Sequence, residues 1–130
     1  MLMQGQFLKF DVVSLCGDVF HSDCQLNFPE RVPLLWEFDH RHVIGHADIK
    51  KNDDGLYALA ELTSDAAEKF MTAERRIGAG GHYTNVKTHN DGAFLVVDSA
   101  TLRSVSLVVA PAQEACSFEV VDIELPEELD

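Results

Sequence analysis

The sequence predicts a mostly β domain, a small antiparallel barrel of about seven short strands with one or two helices. Two observations carry this. Runs of alternating apolar and polar residues recur along the chain, separated by Gly, Pro, Asn and Asp, and only one segment has helical character. A chain of 130 residues is long enough for one core without staples. The expected organisation is a single domain over residues 1–123 followed by an acidic tail, residues 124–130.

In chain order, Phe7 to Val13 reads as the first strand, with Leu8, Phe10 and Val12 on one face and Lys9 and Asp11 on the other. Cys16 to Phe20 turns the chain, and the polar stretch His21 to Arg31, interrupted by Pro29, reads as a loop. Val43 to Lys50 and Leu56 to Leu62 flank Asn52-Asp53-Asp54-Gly55, the clearest hairpin signal in the sequence. Thr63 to Arg76 reads as the helix: a Thr or Ser cap, acidic residues in the first turn, Arg75 and Arg76 in the last. Gly78-Ala79-Gly80-Gly81 ends it, and strands follow at His82–Lys87, Ala93–Ser99, Thr101–Val109 and Ser117–Ile123.

Charge and cysteines bound the function. With 22 acidic against 10 basic residues the net charge is -12, which repels phosphate backbones and argues against nucleic acid as a partner. No apolar run approaches the length of a bilayer span, so no membrane role is expected. The cysteines, Cys16, Cys24 and Cys116, cannot all pair, and Met1 to Gln6 has no signal-peptide pattern, which implies synthesis in a reducing cytoplasm.

The succession Val32-Pro33-Leu34-Leu35-Trp36, an acidic segment, Ile44-Gly45, a strand, Asp53-Asp54-Gly55-Leu56-Tyr57 and a further strand resembles the central region of tailed-phage prohead proteases. Those are serine proteases of capsid maturation, related in fold to the herpesvirus assemblins. Leu102 to Ala112 resembles the family's closing strand and Pro-Ala turn, and Gly17-Asp18-Val19 agrees with it. The resemblance runs from about Val12 to Ala112 and implies an assemblin-like barrel.

It also implies where chemistry would sit. The family base falls at Phe38, two places after Trp36; the nucleophile falls at Gly80 or Gly81 in Gly78-Ala79-Gly80-Gly81-His82-Tyr83; the third group falls at Ser104. No serine occurs from Asp65 to Asp98. Phenylalanine accepts no proton and glycine has no nucleophile, so none of the roles is filled. The expectation is a degenerate protease without catalytic residues, which binds capsid, scaffold or other head proteins, self-associates as a homodimer or larger assembly, and works in the host cytoplasm or on the virion.

Two other readings follow from the residues. In an active protease with relocated groups, His40 would be the base and Ser106 the nucleophile, with Thr84 and Cys116 as further candidates. His40 lies two residues past Phe38, on the same face of an extended segment but ~7 Å further along. Alternatively His40, His42 and His46 could gather with His82 or Asp39 around a divalent metal. That spacing is unspecific, because His40 and His46 would be ~20 Å apart on a straight strand. No organic cofactor is implied.

Overall fold

In a computed structural model, residues 1–63, 65–66, 76–109, 111–113 and 115–121 are described. The strands are β1 (Leu2–Lys9), β2 (Asp18–Asn27), β3 (Arg31–Trp36), β4 (Asp39–Asn52), β5 (Gly55–Leu62), β6 (Arg76–Asp91), β7 (Phe94–Val108) and β8 (Ser117–Val121).

The sheet closes on itself. Antiparallel ladders join β3 to β4, β4 to β5, β5 to β1, β1 to β8, β8 to β6 and β6 to β7, and a short parallel ladder from β7 back to β3 completes the barrel. The eighth strand, β2, pairs parallel with the first half of β7. Since β6 occupies one edge of β7 throughout, β2 and β3 lie one after the other along its opposite edge. The expected antiparallel barrel is therefore correct in kind but carries two parallel pairings, both to β7.

Inside, small residues make room for large ones. Ala47, Ala58, Ala60, Ala79 and Ala100 are buried beside Met3, Leu34, Leu56, Leu102, Leu107 and Phe118 in one core. Phe7 and Phe118 meet edge to face with centroids 6.5 Å apart. β5 shows the alternation at its plainest: Leu56, Ala58, Ala60 and Leu62 point inward, while Leu59 and Glu61 face solvent.

Several expected boundaries move. The first strand starts at Leu2 and ends at Lys9, because the chain turns at Asp11, whose φ is 62°. The expected loop from His21 to Arg31 is mostly strand β2. Thr63 Oγ1 does accept the Ala66 N–H at 3.4 Å, and Asp65 and Ala66 are helical. Residues 64 and 67–75 lie outside the described residues, as does the acidic tail. Arg76, expected to end the helix, opens β6, and the glycine run lies within that strand. The Asn52–Gly55 hairpin is as expected, with Asn52 Oδ1 accepting the Asp54 and Gly55 N–H groups.

Candidate functional site

The turn between β3 and β4 brings the candidate residues together. Trp36 pairs with Asp39, so Glu37 and Phe38 form a two-residue connection, and both are left-handed, with φ of 50° and 61°. Such a turn ordinarily takes Asn-Gly, and non-glycine residues held there store strain. Hydrogen bonds to β7 and to Val109, just past its end, hold it in place. Glu37 N–H donates to Leu107 O at 2.9 Å, Phe38 N–H donates to Ser106 Oγ at 3.0 Å, and Val109 N–H donates to Glu37 Oε2 at 2.8 Å.

The Phe38 ring consequently lies over Gly80. A Cβ on Gly80 would meet the Phe38 Cζ at 3.2 Å. Gly80 pairs with Ser106, and His82 pairs with Ser104. Paired residues on neighbouring strands share a face, so Gly80, His82, Ser104 and Ser106 line one outer patch of the barrel. Gly81 does not belong to it. A Cβ there would meet Tyr83 Oη at 2.7 Å and Leu102 Cδ1 at 3.0 Å, so it points into the interior. Of the two glycines at which the family nucleophile could fall, only Gly80 faces Phe38.

Both serines of this patch are closed off. Ser106 is 0% exposed and its oxygen already takes the Phe38 N–H; Ser104 is 2% exposed and its hydroxyl has no partner among the described residues. Cys116 is fully buried, its thiol donates to Gln113 Oε1 at 3.3 Å, and burial pushes its pKa up to about 11, the opposite of what a thiolate nucleophile requires. Thr84 Oγ1 accepts from Arg103 Nε at 2.6 Å.

Of the histidines, the structure joins two. The His40 and His82 rings meet edge to face with centroids 5.4 Å apart. Irregular pairing makes this possible: Leu35 pairs with Val43 and Trp36 with Asp39, so His40, Arg41 and His42 leave the β3–β4 ladder. His42 is exposed, and His46 sits further along β4, 3.7 Å from Glu61. Asp39 bonds Arg41 instead. Among the described residues no group of three or more His, Cys, Asp or Glu side chains is placed to hold a metal ion.

The fold is similar to that of a herpesvirus protease. The KSHV protease, solved in complex with a hexapeptide phosphonate inhibitor, superposes with a TM-score of 0.51 at 10% sequence identity. The match covers 92% of this chain and 65% of that one, so this chain spans about two thirds of the herpesvirus protein's length. At that identity the likeness concerns the fold alone. No protein-family model matches the sequence, and no curated protein matches it.

A second polar site escaped the sequence reading. Opposite Asp98 both neighbours of β7 fall out of register: β2 between Phe20 and Gln25, β6 between Thr84 and Thr88. The gap is an open cleft of about 500 Å³ lined by His21, Asp23, Cys24, Lys87, His89 and Asp98, among others. His89 Nδ1 lies 2.8 Å from Asp98 Oδ1. Burial, then the charges of Asp98 and Asp23, push the Cys24 thiol pKa up, so this cysteine is held as an inert thiol. The hairpin turn at Asp91-Gly92 was the available signal, since it sets His89 opposite Val96 and diagonal to Asp98.

Proposed function

We propose that this domain is a non-catalytic relative of the tailed-phage prohead proteases that acts by binding other head proteins during capsid assembly or on the virion. The observation that carries the reading is the Phe38 ring over Gly80. In the prohead-protease resemblance these are the places of the base and the nucleophile, and an apolar ring against a glycine can neither take nor give a proton. The buried Ser104 hydroxyl on the same face, without a partner among the described residues, offers no charge to orient a base. The relocated alternative has less support, since Ser106 is fully buried with its oxygen already engaged.

A protease barrel that has lost its chemistry keeps its shape and its surfaces. Around the β3–β4 turn Phe38, Val43 and Val109 are exposed apolar side chains, suited to contact with another protein or a second copy of this chain. The test is incubation of the purified protein with scaffold and major capsid proteins, with a serine-directed fluorophosphonate in parallel. The expected result is a stable complex, intact head proteins and no covalent adduct. Specific cleavage of a head protein that is abolished by His40→Ala or Ser106→Ala would overturn the reading in favour of an active protease.

A further inference from the structure

Resting on the protein-binding reading, we propose that the cleft at Asp98 receives an arginine side chain from a basic segment of the partner protein. Two breaks of pairing at one place make the space. β2 carries four residues, His21 to Cys24, between its pairings with Val97 and Ser99, while β6 steps directly from Ser99 to Val97 between Lys87 and Thr88. Asp98 is thus left without a strand partner on either edge. The opening, about 500 Å³, is of a size that holds a small ligand or an inserted side chain.

The polar groups of the cleft are predominantly acceptors. His21 Nδ1 lies 2.8 Å from Asp11 Oδ1, and His89 Nδ1 lies 2.8 Å from Asp98 Oδ1. An ionised carboxylate only accepts, so each Nδ1 carries the hydrogen, and in the neutral ring Nε2 is left as an acceptor. Both rings line the cleft together with the Asp23 and Asp98 carboxylates. Such a set calls for a cation rich in N–H donors. A guanidinium presents a planar fork of them and accepts nothing, whereas an ammonium is a point charge with fewer. Val96 and Val97, both buried, also line the cleft and can take the apolar stem of an arginine.

Cys24 reports the sign of the field independently. Its thiol lines the cleft at 6% exposure, and after burial it is the charges of Asp98 and Asp23 that raise its pKa, opposed by Lys51. The carboxylates therefore dominate the potential at the cleft wall, and that potential favours a cation. Lys87 on the lining offsets part of it, but Asp11, Asp23 and Asp98 outnumber Lys87 and Lys51. The chain as a whole carries a net charge of -12, which draws a basic partner and repels an acidic one.

The experiment is an NMR titration of the labelled protein, near neutral pH and at physiological salt, with the capped tripeptide Gly-Arg-Gly, beside Gly-Lys-Gly and the uncharged Gly-citrulline-Gly. Expected are saturable shifts confined to the amides of Ser22 to Gln25, Lys87 to His89 and Val96 to Ser99, with a Kd on the order of 1 mM for the arginine peptide. The lysine peptide should bind about threefold or more weaker, and the citrulline peptide should not saturate. Asp23→Asn and Asp98→Asn, both at exposed positions, should each weaken arginine binding by about threefold to tenfold. Glu61→Gln removes an equal charge from β5, outside the cleft, and should change nothing. Lysine or citrulline binding as tight as arginine, shifts scattered away from the cleft, or affinity unchanged in both aspartate variants would overturn the proposal. A head-protein complex that survives Asp23→Asn and Asp98→Asn would likewise remove the cleft's role while leaving the protein-binding reading in place. Arginine binding in the cleft without any head-protein complex would do the reverse.

Discussion

The backbone N–H of Phe38 donates to the hydroxyl of Ser106 at 3.0 Å, which ties the β3–β4 turn to a strand 68 residues further along the chain. Ser104 lies two positions earlier on the same face, buried and with no hydrogen-bond partner among the described residues. The same substitution should therefore act in opposite directions at the two sites. Ser106→Ala removes the acceptor of a partly buried N–H in a strained turn and should cost about 1–2 kcal/mol. Ser104→Ala removes an orphan hydroxyl and should be neutral or stabilising by up to about 1 kcal/mol. Urea denaturation of both variants checks the contrast, and equal losses would refute it.

Gln113 ties the C-terminal segment to the first strand. Its Oε1 accepts the Lys9 N–H at 2.8 Å and the Cys116 S–H at 3.3 Å, and its Nε2 donates to Lys9 O at 2.9 Å and to Val12 O at 3.2 Å. Gln113→Ala strands these groups in a largely dry place and should cost about 2–4 kcal/mol in chemical denaturation. Gln113→Glu should do at least as much harm, because a carboxylate facing the Lys9 and Val12 carbonyls repels them and has no N–H to offer.

What was legible in the sequence was local. The Asn52-Asp53-Asp54-Gly55 turn specifies its own hairpin through the Asn52 side chain, and the alternation of Leu56, Ala58, Ala60 and Leu62 needs no distant partner. Strand β2 was hidden because exposed Ser22 and Asp23 interrupt its apolar residues Phe20, Cys24 and Leu26 at the irregularity opposite Asp98, and its partner strand is remote. In sequence the glycine run from Gly78 reads as a helix stop. Gly78 is instead a close-approach position within β6, where a Cβ would meet Val108 O and Pro111 Cδ at 2.7 Å. At the site, the family resemblance pointed to Phe38, to Gly80 or Gly81, and to Ser104, but no pattern in the sequence could foretell that Gly81 faces the interior or that His40 leaves its ladder to meet His82.

Burial of Cys116 has a consequence in alkali. Its thiol pKa is pushed up to about 11 from an ordinary value near 9.0, chiefly because burial disfavours the thiolate. Below the ordinary thiol range both folded and unfolded chains hold the proton, and stability does not depend on this group. Between about pH 9 and 11 the unfolded chain releases a proton that the folded chain retains, so stability falls as pH rises, by at most about 2–3 kcal/mol. Burial likewise drives the Tyr83 phenol above its ordinary range, which adds to the loss in stronger alkali. Unfolding free energies measured from pH 7 to 11 should show this decline, and Cys116→Ala should flatten its first part. At pH 8 an alkylating reagent should modify exposed Cys16 quickly and buried Cys24 and Cys116 only on unfolding.

Serine introduced at the two glycines should separate the patch from the core. At Gly80 the new Cβ meets only the Phe38 ring, whose residue is 42% exposed and free to swing outward, so Gly80→Ser should cost less than about 1 kcal/mol. At Gly81 it meets Tyr83 and Leu102 inside the barrel, where neither can retreat, so Gly81→Ser should cost about 1–3 kcal/mol. The double variant Phe38→His, Gly80→Ser then sets an imidazole beside a hydroxyl on the outer face. It should fold, and it should still label with a fluorophosphonate only at background rate. A hydroxyl becomes a nucleophile when its base is held in the right tautomer and the oxyanion has donors aimed at it, and the buried, neutral Ser104 supplies no orienting charge. Mass spectrometry after labelling reads the outcome directly. A rapid adduct at the introduced serine would mean that this barrel does supply orienting and oxyanion groups, and that positions 38 and 80 alone decide whether it reacts.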